Sequence, residues 1–235
     1  MRVLVTGSKG LVGTLLTITL LRGGHEVVEY DIKDGQSIFD EQALLEAMTG
    51  CEAVVHLAAI SFPHPQRTLE EFWALNCVGV QKVAEAAYKC GVKKFVFSSS
   101  MTYYGFEHNI PQEGMEFPVM ENHKHISQYM KAEQLEGVTP PTIFYMQSKV
   151  VAENILAVYG FNKLMQVVIL RLSPVRGDPY LGLNVYNENV SPAIVKVLET
   201  DRVMWYEVFN IANPTVEKVD TSKWDSFWGD EWQYC

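Results

Sequence analysis

The sequence predicts an α/β protein built on a doubly wound parallel sheet, and three observations predict it. Short apolar runs recur along the chain and are continuous rather than alternating, the pattern of strands covered on both faces. Helix-period segments separate them, which implies right-handed crossovers between parallel strands. The first apolar run breaks at a glycine, and two further glycines lead into a helix.

That first stretch, Met1 to Gly13, reads MRVLVTGSKGLVG. Val3, Leu4 and Val5 form a buried strand. Gly7 permits a sharp turn, Gly10 lacks the Cβ that would keep the backbone away from phosphates, and Gly13 lets the helix pack closely on the strand. The helix opens at Leu11 and Val12, so its unpaired N–H groups point at an anion in front of it. Strand, glycine turn and helix start are the parts needed to cradle a dinucleotide pyrophosphate.

The remaining elements follow in order. Glu26 to Tyr30 is the second strand. Glu41 to Met48 is a short helix with Asp40 as its N-cap. Ala53 to Leu57 is the third strand. Glu70 to Cys90 is helical, through Phe72, Leu75, Val78, Val83 and Ala86-Ala87, with Gly91 as the stop. Lys94 to Ser98 is the fourth strand. Thr142 to Tyr159 is a long helix, opened by Pro140-Pro141 and ended at Gly160. Gln166 to Arg171 is the fifth strand and Val208 to Ile211 the sixth. Two regions break the rhythm. The polar segment 106–141, with a short helix expected at 127–135, follows the fourth strand at the sheet edge where open α/β folds bind ligands, so it is a lid or a surface insertion. The tail carries Trp224, Trp228 and Trp232 at four-residue spacing. Such a stripe belongs in a core or a subunit contact.

With 235 residues, 48% of them hydrophobic, the chain reads as one domain, 1–235, with an insert at 106–141 and a reduced substrate-binding region at 177–235. Its net charge of −9 and lack of a dense basic cluster argue against a nucleic-acid partner. No apolar run is long enough to span a bilayer, and the N-terminus has no signal-peptide layout. Cys51, Cys77, Cys90 and Cys235 are scattered, which fits free thiols in a reducing cytoplasm and predicts no metal site.

Three groups of residues carry chemistry. Asp31 ends the second strand about twenty residues beyond the glycine turn, where a carboxylate accepts hydrogen bonds from the adenosine ribose hydroxyls and repels a 2′-phosphate. This favours NAD over NADP, although Lys33 beside it is a base that a phosphate could use. Tyr145 and Lys149 are four apart on the long helix and share a face. An ammonium beside a phenol stabilises phenolate and fits it to exchange a proton with a substrate hydroxyl while hydride moves. Ser98, Ser99 and Ser100 end the fourth strand at the same sheet edge. A hydroxyl there orients the reacting alcohol or carbonyl, or merely caps the strand end.

Together these stretches resemble an extended short-chain dehydrogenase/reductase of the NAD-dependent epimerase/dehydratase group. The matching pieces are TGSKGLVG (6–13), YD (30–31), HLAA (56–59), Asn76 with Gly79, FVFSSSMTYYG (95–105), YMQSKVVAE (145–153) and LRLSPVRG (170–177). The resemblance implies a Rossmann sheet with a small substrate cap, NAD as cofactor and a triad of Ser100, Tyr145 and Lys149. It implies that Ile32, Leu57, Ala58, Ala59, Asn76, Ser98 and Pro174 lie along the cofactor. It implies that Ser61, Met101, Thr102, Arg171 and Ser173 lie along the substrate; for Arg171 the alternative is a structural ion pair at the strand end. The helices at 72–90 and 142–159 resemble those that pair two subunits into a homodimer.

Departures narrow the reaction. Met101-Thr102 stand where dehydrating relatives carry Asp-Glu, and no cysteine stands there either, so dehydration and Cys-assisted epimerisation are not expected. An adenine-side Asp of many relatives aligns with Ser37. The expected function is an NAD-dependent enzyme that oxidises, transiently or net, a hydroxyl of a sugar or nucleotide-sugar, epimerase-type. The short length and Ser61 also resemble uronate dehydrogenases, which act on free sugar acids. A dinucleotide-sensing protein without turnover is the alternative of another class.

Overall fold

The structure, a computed structural model, describes residues 1–61, 66–105, 114–129, 131–175, 184–213 and 217–229. Its centre is a parallel sheet of β1 (Arg2–Thr6), β2 (Glu26–Tyr30), β3 (Ala53–His56), β4 (Lys94–Ser100), β5 (Gln166–Leu172) and β6 (Tyr206–Ile211), in the order β2-β1-β3-β4-β5-β6. The six strands are those expected from the apolar runs. The order reverses between β1 and β3, so the crevice outside their carboxyl ends is the place for a ligand.

Alternation along the strands divides the interior into two layers. Val3, Val5, Ala53, Val55, Val96 and Val168 face one layer. It is covered by α1 (Leu11–Arg22), α6 (Asn187–Glu199) and α7 (Ser222–Trp228). Leu4, Val54, Phe95, Phe97, Val167 and Ile169 face the other. That layer is covered by α2 (Glu41–Met48), α4 (Gly79–Lys89) and α5 (Pro140–Phe161). Helices on both faces are why the strands can be apolar throughout.

The helix expected at 70–90 is composite. α3 (Leu69–Phe72) opens with a capping box in which Thr68 and Glu71 satisfy each other's backbone N–H groups. A π-helical turn at Trp73–Val78 follows and leads into α4. α5 runs past its expected stop: Gly160 lies inside its last turn because a Cβ there would stand 2.4 Å from the Trp205 carbonyl oxygen. The expected helix at 127–135 is two 3-10 turns, Ile126–Gln128 and Ala132–Leu135.

The tail differs most from expectation. α6 fills the sheet face beside α1, and Trp224 and Trp228 of α7 are fully buried in the same layer. Where it is described, this region, expected to be a reduced substrate-binding region at 177–235, forms a wall of the main core. Trp232 lies outside the described residues. Buried Lys94, at the start of β4, donates to the carbonyls of Val197, Leu198 and Thr200 at 2.7–3.1 Å. It thereby satisfies the open end of α6, where a positive charge is favoured.

The described part of the 106–141 insert lies at the carboxyl ends of β5 and β6. Val119 bridges to Val219 and packs with Met101, Tyr104 and Ala212 in a small separate cluster. Ile126 packs on Met146 and Val150 of α5.

Candidate functional site

The turn between β1 and α1 is built on glycine for two measurable reasons. Gly7 has φ 72°, and a Cβ on it would lie 2.7 Å from the Ala58 nitrogen. A Cβ on Gly13 would lie 2.3 Å from the Gly7 carbonyl oxygen. The turn is thus pressed between its own helix and the Leu57-Ala58 backbone that leaves β3. Leu57 N–H donates to the Thr6 carbonyl at 3.1 Å and Ala58 N–H to its hydroxyl at 3.4 Å. Gly10 is the N-cap of α1, and no side chain caps that end. The first-turn N–H groups of a helix have no partner within it. Leu11 is exposed and Val12 half-buried at this opening.

Asp31 stands at the end of β2 and is buried. One carboxylate oxygen accepts from Lys9 N–H at 2.8 Å and the other from Lys33 N–H at 2.9 Å. A carboxylate has about four acceptor sites, so capacity remains for ribose hydroxyls. Ile32 beside it is 71% exposed and can serve as a ledge. Ser37 accepts the Tyr30 hydroxyl at its carbonyl.

The tyrosine–lysine pair lies where β4 ends. Tyr145 and Lys149 are both buried on α5. The Lys149 amine donates to the Ser98 carbonyl at 3.1 Å, sits 5.8 Å from the Tyr145 ring centre and 5.1 Å from that of Phe97. Burial pushes its pKa down to about 8, against the opposing pull of Glu153. Ser100 is half-buried, and its hydroxyl accepts from Thr102 N–H at 3.2 Å as the cap of the next turn. Asn76 lies in the π-helical turn. It accepts from Ile60 N–H at 2.8 Å and donates to the Ile60 carbonyl and the Ser148 hydroxyl, both at 3.0 Å. It therefore ties the segment after β3 to α5 at the residue beside Lys149. His56 ends β3 with its ring stacked on Phe97 and one nitrogen 2.6 Å from the Thr6 hydroxyl. Burial, reinforced by the charge of Lys149, pushes it down to about 3, so it is neutral.

The residues expected along the substrate divide. Ser61 is exposed after β3, while Pro174, expected along the cofactor, is half-buried after β5. Thr102 and Ser173 are buried with hydroxyls that have no partner among the described residues. Met101, also expected along the substrate, is 1% exposed and packs in the cluster beneath the insert. Arg171, for which a structural ion pair was the alternative to a substrate contact, is buried. Its guanidinium meets both oxygens of buried Glu153 at 2.8–3.3 Å, donates to the Tyr104 hydroxyl at 2.6 Å and to the Glu121 carbonyl at 3.0 Å, and lies 3.5 Å from the Tyr103 ring centre. Glu153 also accepts the Ser99 hydroxyl at 2.5 Å. Tyr104 donates to Asn210 at 2.8 Å, and Asn210 N–H donates to the Glu121 carboxylate at 2.8 Å. Sequence reasoning missed Glu153, Tyr104 and Asn210. The available signal was the spacing Tyr145, Lys149, Glu153, three residues four apart on one helix face.

The turn therefore fits a pyrophosphate: its floor is too close for any Cβ, its helix end lacks a side-chain cap, and a carboxylate with spare acceptors stands at the next strand. Among the described residues no cluster of His, Cys, Asp and Glu is arranged to hold a metal ion, and no helix is long and apolar enough to cross a membrane.

A parallel six-stranded sheet with a glycine-floored first turn and a Tyr-x-x-x-Lys pair defines the short-chain dehydrogenase/reductase class. Within that class the profile of the NAD dependent epimerase/dehydratase family matches residues 3–208, and the chain belongs to that family. It is 30% identical over 202 residues to the N-acetyl-alpha-D-glucosaminyl-diphospho-ditrans,octacis-undecaprenol 4-epimerase of Escherichia coli O157:H7, covering 79% of this chain and 52% of the relative. It is 22% identical over 256 residues to the uronate dehydrogenase of Pseudomonas syringae pv. tomato, covering 96% of this chain and 82% of the relative. The fold is similar to that of UDP-glucuronic acid 4-epimerase from Bacillus cereus, solved with UDP-glucuronic acid and NAD. The TM-score is 0.71 at 20% identity, covering 90% of this chain and 77% of that one. The chain spans about half the length of several curated relatives it matches.

Proposed function

We propose that this chain binds NAD and oxidises, transiently or net, a hydroxyl of a sugar or nucleotide-sugar, with epimerisation as the overall reaction. The observation that carries the reading is the buried Lys149 amine beside the Tyr145 ring, at the carboxyl end of β4. Gly7, Gly10, Leu11, Val12 and Gly13 would hold the pyrophosphate and Asp31 the adenosine ribose, with Ile32, Leu57, Ala58, Ala59, Asn76, Ser98 and Pro174 along the rest. The cofactor, when bound, supplies the hydride acceptor. Tyr145 takes the proton of the substrate hydroxyl and returns it when the carbonyl is reduced. Lys149, protonated below about pH 8, stabilises the phenolate that this requires. Ser100 orients the reacting oxygen, while Ser61, Thr102 and Ser173 offer hydroxyls toward the substrate.

A second reading, net oxidation of a free sugar acid, is favoured by one observation. The alignment with the uronate dehydrogenase spans 96% of this chain and 82% of that enzyme, much more of the relative than the epimerase alignment spans. Thermal unfolding with NAD, UDP-sugars and uronates added singly separates the two, because a ligand of the folded state raises the midpoint. A shift with NAD and a further shift with a UDP-sugar supports the epimerase. A further shift with a uronate, and NADH accumulating at 340 nm, supports the dehydrogenase. No shift with NAD removes both.

The partner in this reading is a second copy of the chain, paired through the 72–90 and 142–159 helices. Trp73, Tyr88, Val158 and Phe161 are 48–70% exposed along these helices, which supports a covered face. Sedimentation as a monomer at micromolar concentration would remove it. The reading places the protein in the cytoplasm.

A further inference from the structure

We infer that Glu29 adds to the NAD preference expected of Asp31 by holding Lys9 out of reach of a 2′-phosphate. The inference rests on the NAD-binding reading above. It starts from an apparent contradiction in the turn. Two lysines, Lys9 and Lys33, flank the Asp31 carboxylate, and each gives it a backbone N–H. Two ammonium groups at the ribose end of a dinucleotide site are what a 2′-phosphate would use.

The geometry shows why they are not free to do so. The Lys9 amine donates to Glu29 Oε2 at 2.6 Å and lies 3.8 Å from Asp34. Glu29, with Asp34 and Asp31 adding, holds the Lys9 pKa above its ordinary value, so the amine is charged but already matched. The Lys33 amine donates to the Lys9 carbonyl at 2.9 Å. Three carboxylates (Glu29, Asp31, Asp34) thus surround two ammonium groups, and the field at the ribose edge is net negative by one charge. A sugar hydroxyl tolerates that field. A phosphate dianion meets Asp31 repulsion and finds Lys9 neutralised. Glu29 sits opposite Val5 in the β1–β2 register and holds the Lys9 amine, so its effect on selectivity runs through Lys9: it is a positioning residue.

The consequence is that neither carboxylate alone controls selectivity. With Asp31→Asn the repulsion is gone but Lys9 stays tied. With Glu29→Gln Lys9 is released while Asp31 still repels. The two changes together should exceed the product of the single effects.

The test is direct binding, by quenching of protein fluorescence, of NAD, NADP, 5′-AMP and 2′,5′-ADP to the wild type, Glu29→Gln, Asp31→Asn, the double variant, and Glu29→Gln with Lys9→Ala. Glu29→Gln is expected to leave NAD affinity unchanged and to narrow the NAD:NADP ratio about two- to fivefold, the scale of one exposed charge pair. The gain should shrink with added salt and vanish when Lys9 is also removed. An unchanged ratio in Glu29→Gln, or a gain that survives Lys9→Ala, overturns the inference while leaving NAD binding intact. Failure of the wild type to bind either dinucleotide overturns the NAD reading and this inference together.

Discussion

Arg171→Met is expected to destabilise the protein by about 3–5 kcal/mol, the cost of leaving one member of a buried ion pair without its partner. The guanidinium and Glu153 are each about 3% exposed. Methionine keeps the stem volume and removes every donor to Glu153, Tyr104 and the Glu121 carbonyl. The Ser99 hydroxyl alone would then face the carboxylate. For a chain of this size such a loss lowers the thermal midpoint by roughly 10 °C. Glu153→Gln added to Arg171→Met should restore much of it, because a neutral amide can still accept from Ser99 without a buried charge. Urea unfolding of the wild type, both single variants and the double variant measures the coupling. A single variant within about 1 kcal/mol of the wild type would show that the pair is not closed to water.

The second large effect falls on turnover. Tyr145→Phe is expected to lower it by about 10²–10⁴-fold, the range for a lost general acid/base, with dinucleotide binding retained. Lys149→Met should lower it similarly but with an opposite signature in stability. The folded state holds this amine at about pH 8, below its ordinary 10.5. Between those values the unfolded chain binds more protons, so wild-type stability rises as pH climbs from about 8 to about 10.5, and the penalty is fully present below 8. Methionine removes the penalty. The variant should melt higher than the wild type at pH 7 and show no such rise. Wild-type turnover should fall above about pH 8 as the amine loses its charge. A Lys149→Met protein that melts lower at pH 7 would show that the amine contributes more as a donor to Ser98 than it costs by burial.

All six strands were legible because buried parallel strands are continuous apolar runs. α6 was not, because it begins with polar Asn187-Glu188-Asn189 and contains Pro192, both of which read as loop. Gly160 read as a stop because a glycine near a helix end usually is one; its actual cause, the passage of Trp205 and Tyr206, is a contact between distant parts of the chain. The same holds for Arg171. Its partner is 18 residues away on another element, so the sequence offered a strand-end arginine with two meanings and no means to choose. The glycine turn, Asp31, Tyr145 and Lys149 were legible because their chemistry depends on local spacing.

The π-helical turn at Trp73–Val78 also has a bearing on how this helix is fitted to its neighbours. An α-helix advances about 100° per residue, so one residue more or fewer re-aims everything beyond it. The wide turn absorbs such a surplus residue. Asn76, inside the turn, is tied to the segment after β3 and to Ser148, while the helix beyond it answers to the sheet through Val80, Val83 and Ala87. The two stretches are out of phase with each other, and each meets its own packing constraint. The turn works as a clutch between the stretch tied to the segment after β3 and the stretch that packs on the sheet.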